Sequence, residues 1–397
     1  MPETKTETAS PERPDRPYIG GQAVLEGVMM RSPSSFAVAV RRADGSISIK
    51  ERPIEKKPSR WAKVPFARGM ATLVESLRLG SEALRFSAEQ MEKDMVDDEA
   101  RAPSKSGEVA KKISSTISHA FTAFGLSLVS LVTRADGDAP GGAGDGAVVE
   151  EKRGASPMAL MTIIMVAFMV ALPQLLAWGA SSLFHLQLEV QSPKFQLLTG
   201  GFKLFVVLGY LLLIRRVAEI RRVFQYHGAE HKTISTYEAR EELIVQNARK
   251  KTTLHPRCGT TFLVMTVLVS ILVWTALGPL MPRYGGSAWS KQLIFFLMKL
   301  PFLPLLAGIT FEIQRFTARY CTTGPMRALL WPGFLVQKIT TIEPDDDQLE
   351  IALASLRATL WREQVGTDKG KPAGDSEVIQ FPSYEALVES PGLRDAA

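Results

Sequence analysis

Apolar residues gather in the middle of this 397-residue chain and thin out toward both ends. Four runs stand out, Pro157 to Phe184, Phe195 to Ile214, Gly259 to Met281 and Gln292 to Phe311. At about 1.5 Å per helical residue each can cross about 30 Å of hydrocarbon, so the pattern predicts four transmembrane helices. Four spans put both termini on one side. Basic residues choose that side: Arg215, Arg216, Arg221, Arg222, Lys232 and Arg249 are among those crowding the loop after the second run. The loops after the first and third runs show only Lys194, and Arg283 with Lys291. The positive-inside bias then predicts cytoplasmic termini and a cytoplasmic middle loop, in a bacterial inner membrane.

The flanks read differently. Residues 1–17 are polar and Pro-rich, a disordered tail without the apolar core of a signal peptide. From Tyr18 the pattern turns extended: Gln22 to Arg31 is rich in Val, Leu and Met, and Phe36 to Arg42 with Ser46 to Arg52 flank Ala43-Asp44-Gly45 as a hairpin would. Between Val64 and Glu92, Phe66, Met70, Leu73, Leu77 and Leu84 recur at helical spacing and predict an amphipathic helix. Residues 18–96 thus form a small cytoplasmic α+β portion attached to a mainly α polytopic membrane protein. Linkers Asp97 to Gly107 and Ala135 to Ala155 isolate an amphipathic stretch, Glu108 to Arg134, whose uncharged part is too short to span and is expected at the lipid interface. After the last run come a connector, Trp331 to Thr341, and a short amphipathic helix carrying Leu349, Ile351, Ala352, Leu356 and Leu360. The tail over 365–397 is expected to be disordered.

Composition supports this segregation. With 46% hydrophobic and 22% charged residues, and a mean hydropathy of +0.04, the average fits no uniform soluble globule. The net charge of +6 resides beside apolar runs, where anionic headgroups account for it, so the bilayer is the expected partner and nucleic acid is not. Two cysteines, Cys258 and Cys321, are too few for a disulfide framework and fall in segments expected on the reducing side.

Candidate chemistry concentrates in the middle loop. His227-Gly228-Ala229-Glu230-His231 places two imidazoles and a carboxylate on one helix face, the H-x-x-E-H order of inverted zinc hydrolases. The two His are expected to bind a divalent metal, zinc above all, with Glu230 as general base. His255-Pro256-Arg257-Cys258 follows just before the third run, and Glu312 lies where the fourth run returns to the same face. His255, Cys258 and Glu312 compete to complete the shell. Four protein ligands would make the site structural; three would leave a position open for chemistry. Cys321 opens a C-x-x-G-x-x-R spacing like that of a cysteine phosphatase loop, but Pro325 denies such a loop one N–H donor and a helix-ending turn is the preferred reading. Lys203 and Lys299 fall within apolar runs, where a charge is usually partnered or functional, and Lys299 precedes Pro301 and Pro304, which predict a kink.

Five separated motifs carry a resemblance. Gly20 to Arg31 (GGQAVLEGVMMR), His227 to Lys232, His255 to Thr260 (HPRCGT), Tyr320 to Met326 and Glu343 to Leu349 together resemble the bacterial YqhQ-like family of integral-membrane proteins. The resemblance runs from about Tyr18 to Leu360 and implies a predicted metal-dependent enzyme without a substrate. The insert around Ala135 to Gly154 and the tails depart from it. Glu26, in the first motif, becomes a further candidate carboxylate, or else a strand residue facing solvent or an Arg. The expected function is a metal-dependent hydrolase at the cytoplasmic membrane face. A non-catalytic scaffold docking a translocation or ribosomal partner is the alternative, and a transporter built around Lys299 the third.

Overall fold

The computed structural model describes residues 16–54, 67–101, 171–321, 324–365 and 378–394. The expected interfacial stretch Glu108 to Arg134, the second linker and the N-terminal half of the first apolar run lie outside the described residues.

The extended N-terminal pattern forms four strands, β1 (Gly20–Val24), β2 (Gly27–Arg31), β3 (Ser35–Arg41) and β4 (Ile47–Pro53). The stretch from Gln22 to Arg31, read as one extended segment, is broken at Leu25-Glu26, where Glu26 takes φ +51° and lets β1 fold back on β2. Side chains alternate across the sheet as the pleat requires. Met29, Phe36, Val38 and Val40 pack on Leu79, Ala83 and Phe86 of helix α1 (Ala67–Arg101). Val28, Met30, Ala37 and Ala39 face the opposite way into the larger core.

The apolar runs become α2 (Pro193–Ile214) and, beyond α3 (Ala218–Glu238) and the short α4 (Val245–Arg249), α5 (Gly259–Leu277), α6 (Ala288–Lys299) and α7 (Leu303–Tyr320). Among the described residues three helical stretches are long and apolar enough to cross a membrane, Pro193–Ile214, Gly259–Leu280 and Ala288–Tyr320. The described structure therefore has three such stretches where four spans were expected: of the first run only its end is described, helical over 171–183 and too short to cross. The third stretch breaks at the turn Leu300–Phe302, where Pro301 and Pro304 interrupt the helical bonding. At the far end of α2, Leu211 packs with Val264 of α5 and Val336 of α8 (Trp331–Thr340), so the expected connector is itself a helix.

The C-terminal part differs most from expectation. Helix α9 (Asp346–Val365) is no surface amphipath, for residues Gln348 to Leu360 are buried apart from Glu350, between the sheet and α3. Small residues allow this close approach. Ser355 and Thr359 hydroxyls donate to the carbonyls of Ala37 at 3.2 Å and Met30 at 3.3 Å. The tail expected to be disordered supplies β5 (Val378–Phe381), antiparallel to β4, and α10 (Tyr384–Glu389), which buries Leu387 in the same core. The strand order is β1-β2-β3-β4-β5, which leaves β1 at one edge beside α3.

Candidate metal centre

Helix α3 carries His227, Glu230 and His231 at positions that share one face. Gly228 between them is required by packing: a Cβ there would lie 2.2 Å from the carbonyl oxygen of Ile342, in the segment linking α8 to α9. The remaining sulfur donor comes from a different element. Cys258 is the N-cap of α5, its thiol meeting the Thr260 amide at 3.4 Å and the Thr260 hydroxyl at 3.0 Å. Gln314 of α7 donates to the Cys258 carbonyl at 3.0 Å and fixes the loop from behind.

One ligand atom from each of His227, His231 and Cys258 can be chosen so that all lie within 4.8 Å of one another. His227 turns Nδ1 to the carbonyl oxygen of Thr340 at 2.9 Å and Nε2 to the sulfur of Cys258 at 3.2 Å. His231 likewise turns Nδ1 to the carbonyl oxygen of Thr253 at 2.5 Å. With Nδ1–H donating to a backbone carbonyl, each ring is held as the tautomer whose Nε2 lone pair is free, the usual orientation of a metal-binding histidine. Zn–N near 2.05 Å and Zn–S near 2.3 Å at a tetrahedral angle would separate N from S by about 3.5 Å, close to the spacing seen here.

Glu230 completes the arrangement. It is 5% exposed, one carboxylate oxygen accepts the Ala23 amide of β1, and Oε2 is buried with no hydrogen-bond partner. A buried carboxylate oxygen without a partner is costly, and a cation or a water held by one would relieve it. The donor set therefore fits a zinc-type ion. Beside it a cavity of about 470 Å³ is lined by Tyr18 to Ala23 on one side and by His227, Glu230, His231, His255 and Cys258 on the other.

Burial and the sulfur set the electrostatics. Burial opposes the charge on His227, but the neighbouring thiolate and Glu230 outweigh it and lift the imidazole to about 9. Burial works against the Cys258 thiolate as well, yet His227 and His231 hold the thiol well below its ordinary value. Burial also pushes Glu230 up to about 8 and His255 down to about 4. Without a metal the centre thus balances a thiolate against an imidazolium, and a divalent ion would take the place of that proton.

Other sequence candidates fall elsewhere. The ring of His255 lies 5.7 Å from that of His231, but its Nε2 meets Glu238 at 3.4 Å, and it stands beside the triad rather than in it. Glu26 forms a two-pronged pair with Arg222 of α3, at 2.5 Å on both arms, and so fastens the β1–β2 turn to α3. Cys321 caps the end of α7 and is buried, and neither it nor Glu312 belongs to the ligand group found among the described residues. Lys299 lies near the opposite end of the bundle, donating to Gln196 at 3.1 Å and Gln174 at 3.4 Å over the Phe295 ring. No spacing or motif marks Gln337, which braces the His255 loop, or the Thr253 and Thr340 carbonyls, because backbone acceptors carry no residue signature.

The profile of proteins of unknown function designated DUF1385 matches residues 64–362. The chain is also 30% identical over 364 residues to the uncharacterized protein YqhQ of Bacillus subtilis (strain 168), covering 90% of this chain and 96% of that one. The chain belongs to the DUF1385 family. The family match includes all of α3 and α5, hence every residue of the triad, and α9 as far as Arg362, while the alignment to YqhQ extends further than the family match. No solved structure matches.

Proposed function

We propose that this family member is a membrane-embedded, metal-dependent hydrolase whose site opens beside the ends of its apolar helices. One observation carries the reading: half-buried His227 and buried His231, each with Nδ1 tied to a main-chain carbonyl, bring a ligand atom within 4.8 Å of one another and of Cys258, beside an unpartnered carboxylate oxygen. His227, His231 and Cys258 would hold the ion, and three protein ligands leave a fourth position for chemistry. A zinc-type ion there would supply Lewis acidity toward a carbonyl or phosphoryl oxygen. Glu230 takes a proton from the attacking water at Oε2 and returns it to the leaving group, with the ion beside it favouring the carboxylate that the first step needs. The basic loop around Arg215 and Arg222 supports a cytoplasmic site.

Metal analysis of the full chain purified in detergent tests the first step. About one zinc per chain is expected, lost in the His227→Ala, His231→Ala double variant; unchanged metal in that variant overturns the reading. Glu230→Gln should keep the metal and lose function. A variant that keeps both favours the scaffold role.

A second reading rests on the 3.2 Å contact between His227 and Cys258 at a helix N-terminus, a geometry that also suits a thiolate nucleophile. Activity abolished by iodoacetamide and indifferent to chelators would favour it; zinc protection of the thiol favours the metal.

A further inference from the structure

Resting on the hydrolase reading, we propose that the substrate is an extended peptide segment that pairs with the edge of β1 to which no strand is bonded among the described residues, and so delivers a backbone carbonyl to Glu230 and the His227, His231, Cys258 centre. β1 is the terminal strand of the sheet among the described residues, and the cavity wraps from its outer edge onto the α1-facing side, where Met29 and Arg31 of β2 and Ser76 of α1 also line it. Six consecutive residues, Tyr18 to Ala23, line that cavity. A space above one face of a strand is lined by alternate residues, as Met29 and Arg31 line it on β2, whereas the consecutive lining along β1 means that the cavity also reaches the edge.

The direction of one amide supports this placement. In the β1–β2 register Val24 pairs with Gly27 across the turn, so Ala23 opposite Val28 is a non-hydrogen-bonded position whose amide points out of the sheet, on the side where the Glu230 carboxylate lies. In an antiparallel ladder the outward direction recurs every second residue, which turns the Gly21 amide the same way. Glycine at both 20 and 21 leaves this stretch of edge without side chains, as a second backbone approaching closely would need. On the face to which a Gly20 Cβ would point, the nearest atom is Nε of Arg31 at 3.8 Å. At Gly21 an added Cβ would lie 2.7 Å from Cγ of Glu230. The Glu230 side chain thus lies against Gly21, which brings its carboxylate within reach of a peptide paired with this part of β1. Strand addition of this kind draws affinity from main-chain hydrogen bonds and tolerates varied sequences. In the reaction one water adds its oxygen to the carbonyl carbon and the C–N bond breaks. Glu230 carries the water proton to the leaving nitrogen, giving one carboxylic acid and one amine.

Hydrogen exchange tests the pairing separately from the chemistry. The full-length Glu230→Gln variant in detergent is mixed with a tryptic digest of casein, and exchange is followed over residues 18–24. Chelated wild type serves as the second arm should the variant fold poorly. Exchange slowed by about tenfold at Gly21 in either arm is expected. Unchanged exchange in both arms overturns the proposal, and protection by phosphatidylglycerol vesicles but not by peptides overturns it in favour of a lipid. Glu230-dependent hydrolysis of p-nitrophenyl acetate without protection of β1 also overturns the peptide while sparing the hydrolase. Protection of β1 in a protein that, before any chelation, purifies without metal supports the peptide and removes the hydrolase.

Discussion

Gln337 grips His255 by both of its main-chain groups: the Gln337 Oε1 accepts the His255 amide at 2.8 Å and the Nε2 donates to the His255 carbonyl at 2.8 Å. The same Nε2 reaches the Thr261 hydroxyl at 2.9 Å, so one buried side chain on α8 ties the loop before Cys258 to the first turn of α5. Gln337→Leu keeps the volume but strands these groups, at a cost of about 1–3 kcal/mol. The expected result is a lower Tm together with weaker zinc retention during dialysis against chelator. Unaltered retention would show that the loop needs no brace to present its thiol.

Gly228 makes a second, steric prediction. Gly228→Ala forces a methyl into the Ile342 carbonyl and must push the α8–α9 segment off α3, for about 1–3 kcal/mol. Because Thr340, two residues before Ile342, orients His227, metal loading should fall with stability. Gly209→Ala in α2 is the control, since a Cβ there meets nothing within 4 Å. Equal Tm values for the two variants, measured by differential scanning fluorimetry, would refute the packing argument.

Glu26 separates fastening from metal binding. Its partner Arg222 is half exposed, so the pair is worth at most about 1 kcal/mol in water. Glu26→Ala should lower Tm slightly and keep the full zinc content, and Glu26→Gly should recover part of the loss because φ +51° suits glycine. Zinc lost from both variants would bring this carboxylate back into the site.

What could be read from the chain was what is local. The β3–β4 hairpin followed from alternation around Gly45, and the shared face of His227, Glu230 and His231 from helical spacing, because both depend on neighbours within a few residues. The burial of α9 on all sides is not legible because Ala354, Ser355, Ala358 and Thr359 interrupt the pattern of Leu349, Ile351, Leu353 and Leu356, which then looks like a weak amphipath until a sheet lies against it. β5 escaped because four residues give too few alternations to distinguish a strand from a tail. The orientation of His255 toward Glu238 depends on a turn of loop that spacing cannot fix.

The last prediction concerns pH. Burial raises the Glu230 carboxyl from its ordinary 4.5 to about 8, so the folded protein binds this proton more tightly than the unfolded chain does. Its contribution to stability is full below about pH 4.5 and is lost as pH rises through about 8. Glutamine does not titrate, so in chelator the Glu230→Gln variant should gain on wild type steadily between about pH 5 and about pH 8. A cation among His227, His231 and Cys258 would favour the carboxylate and shrink that gain, so saturating zinc should flatten the difference in Tm between the two proteins. A difference independent of pH in chelator would mean that Glu230 is hydrated. One that zinc leaves unchanged would mean that the ion binds away from the carboxylate.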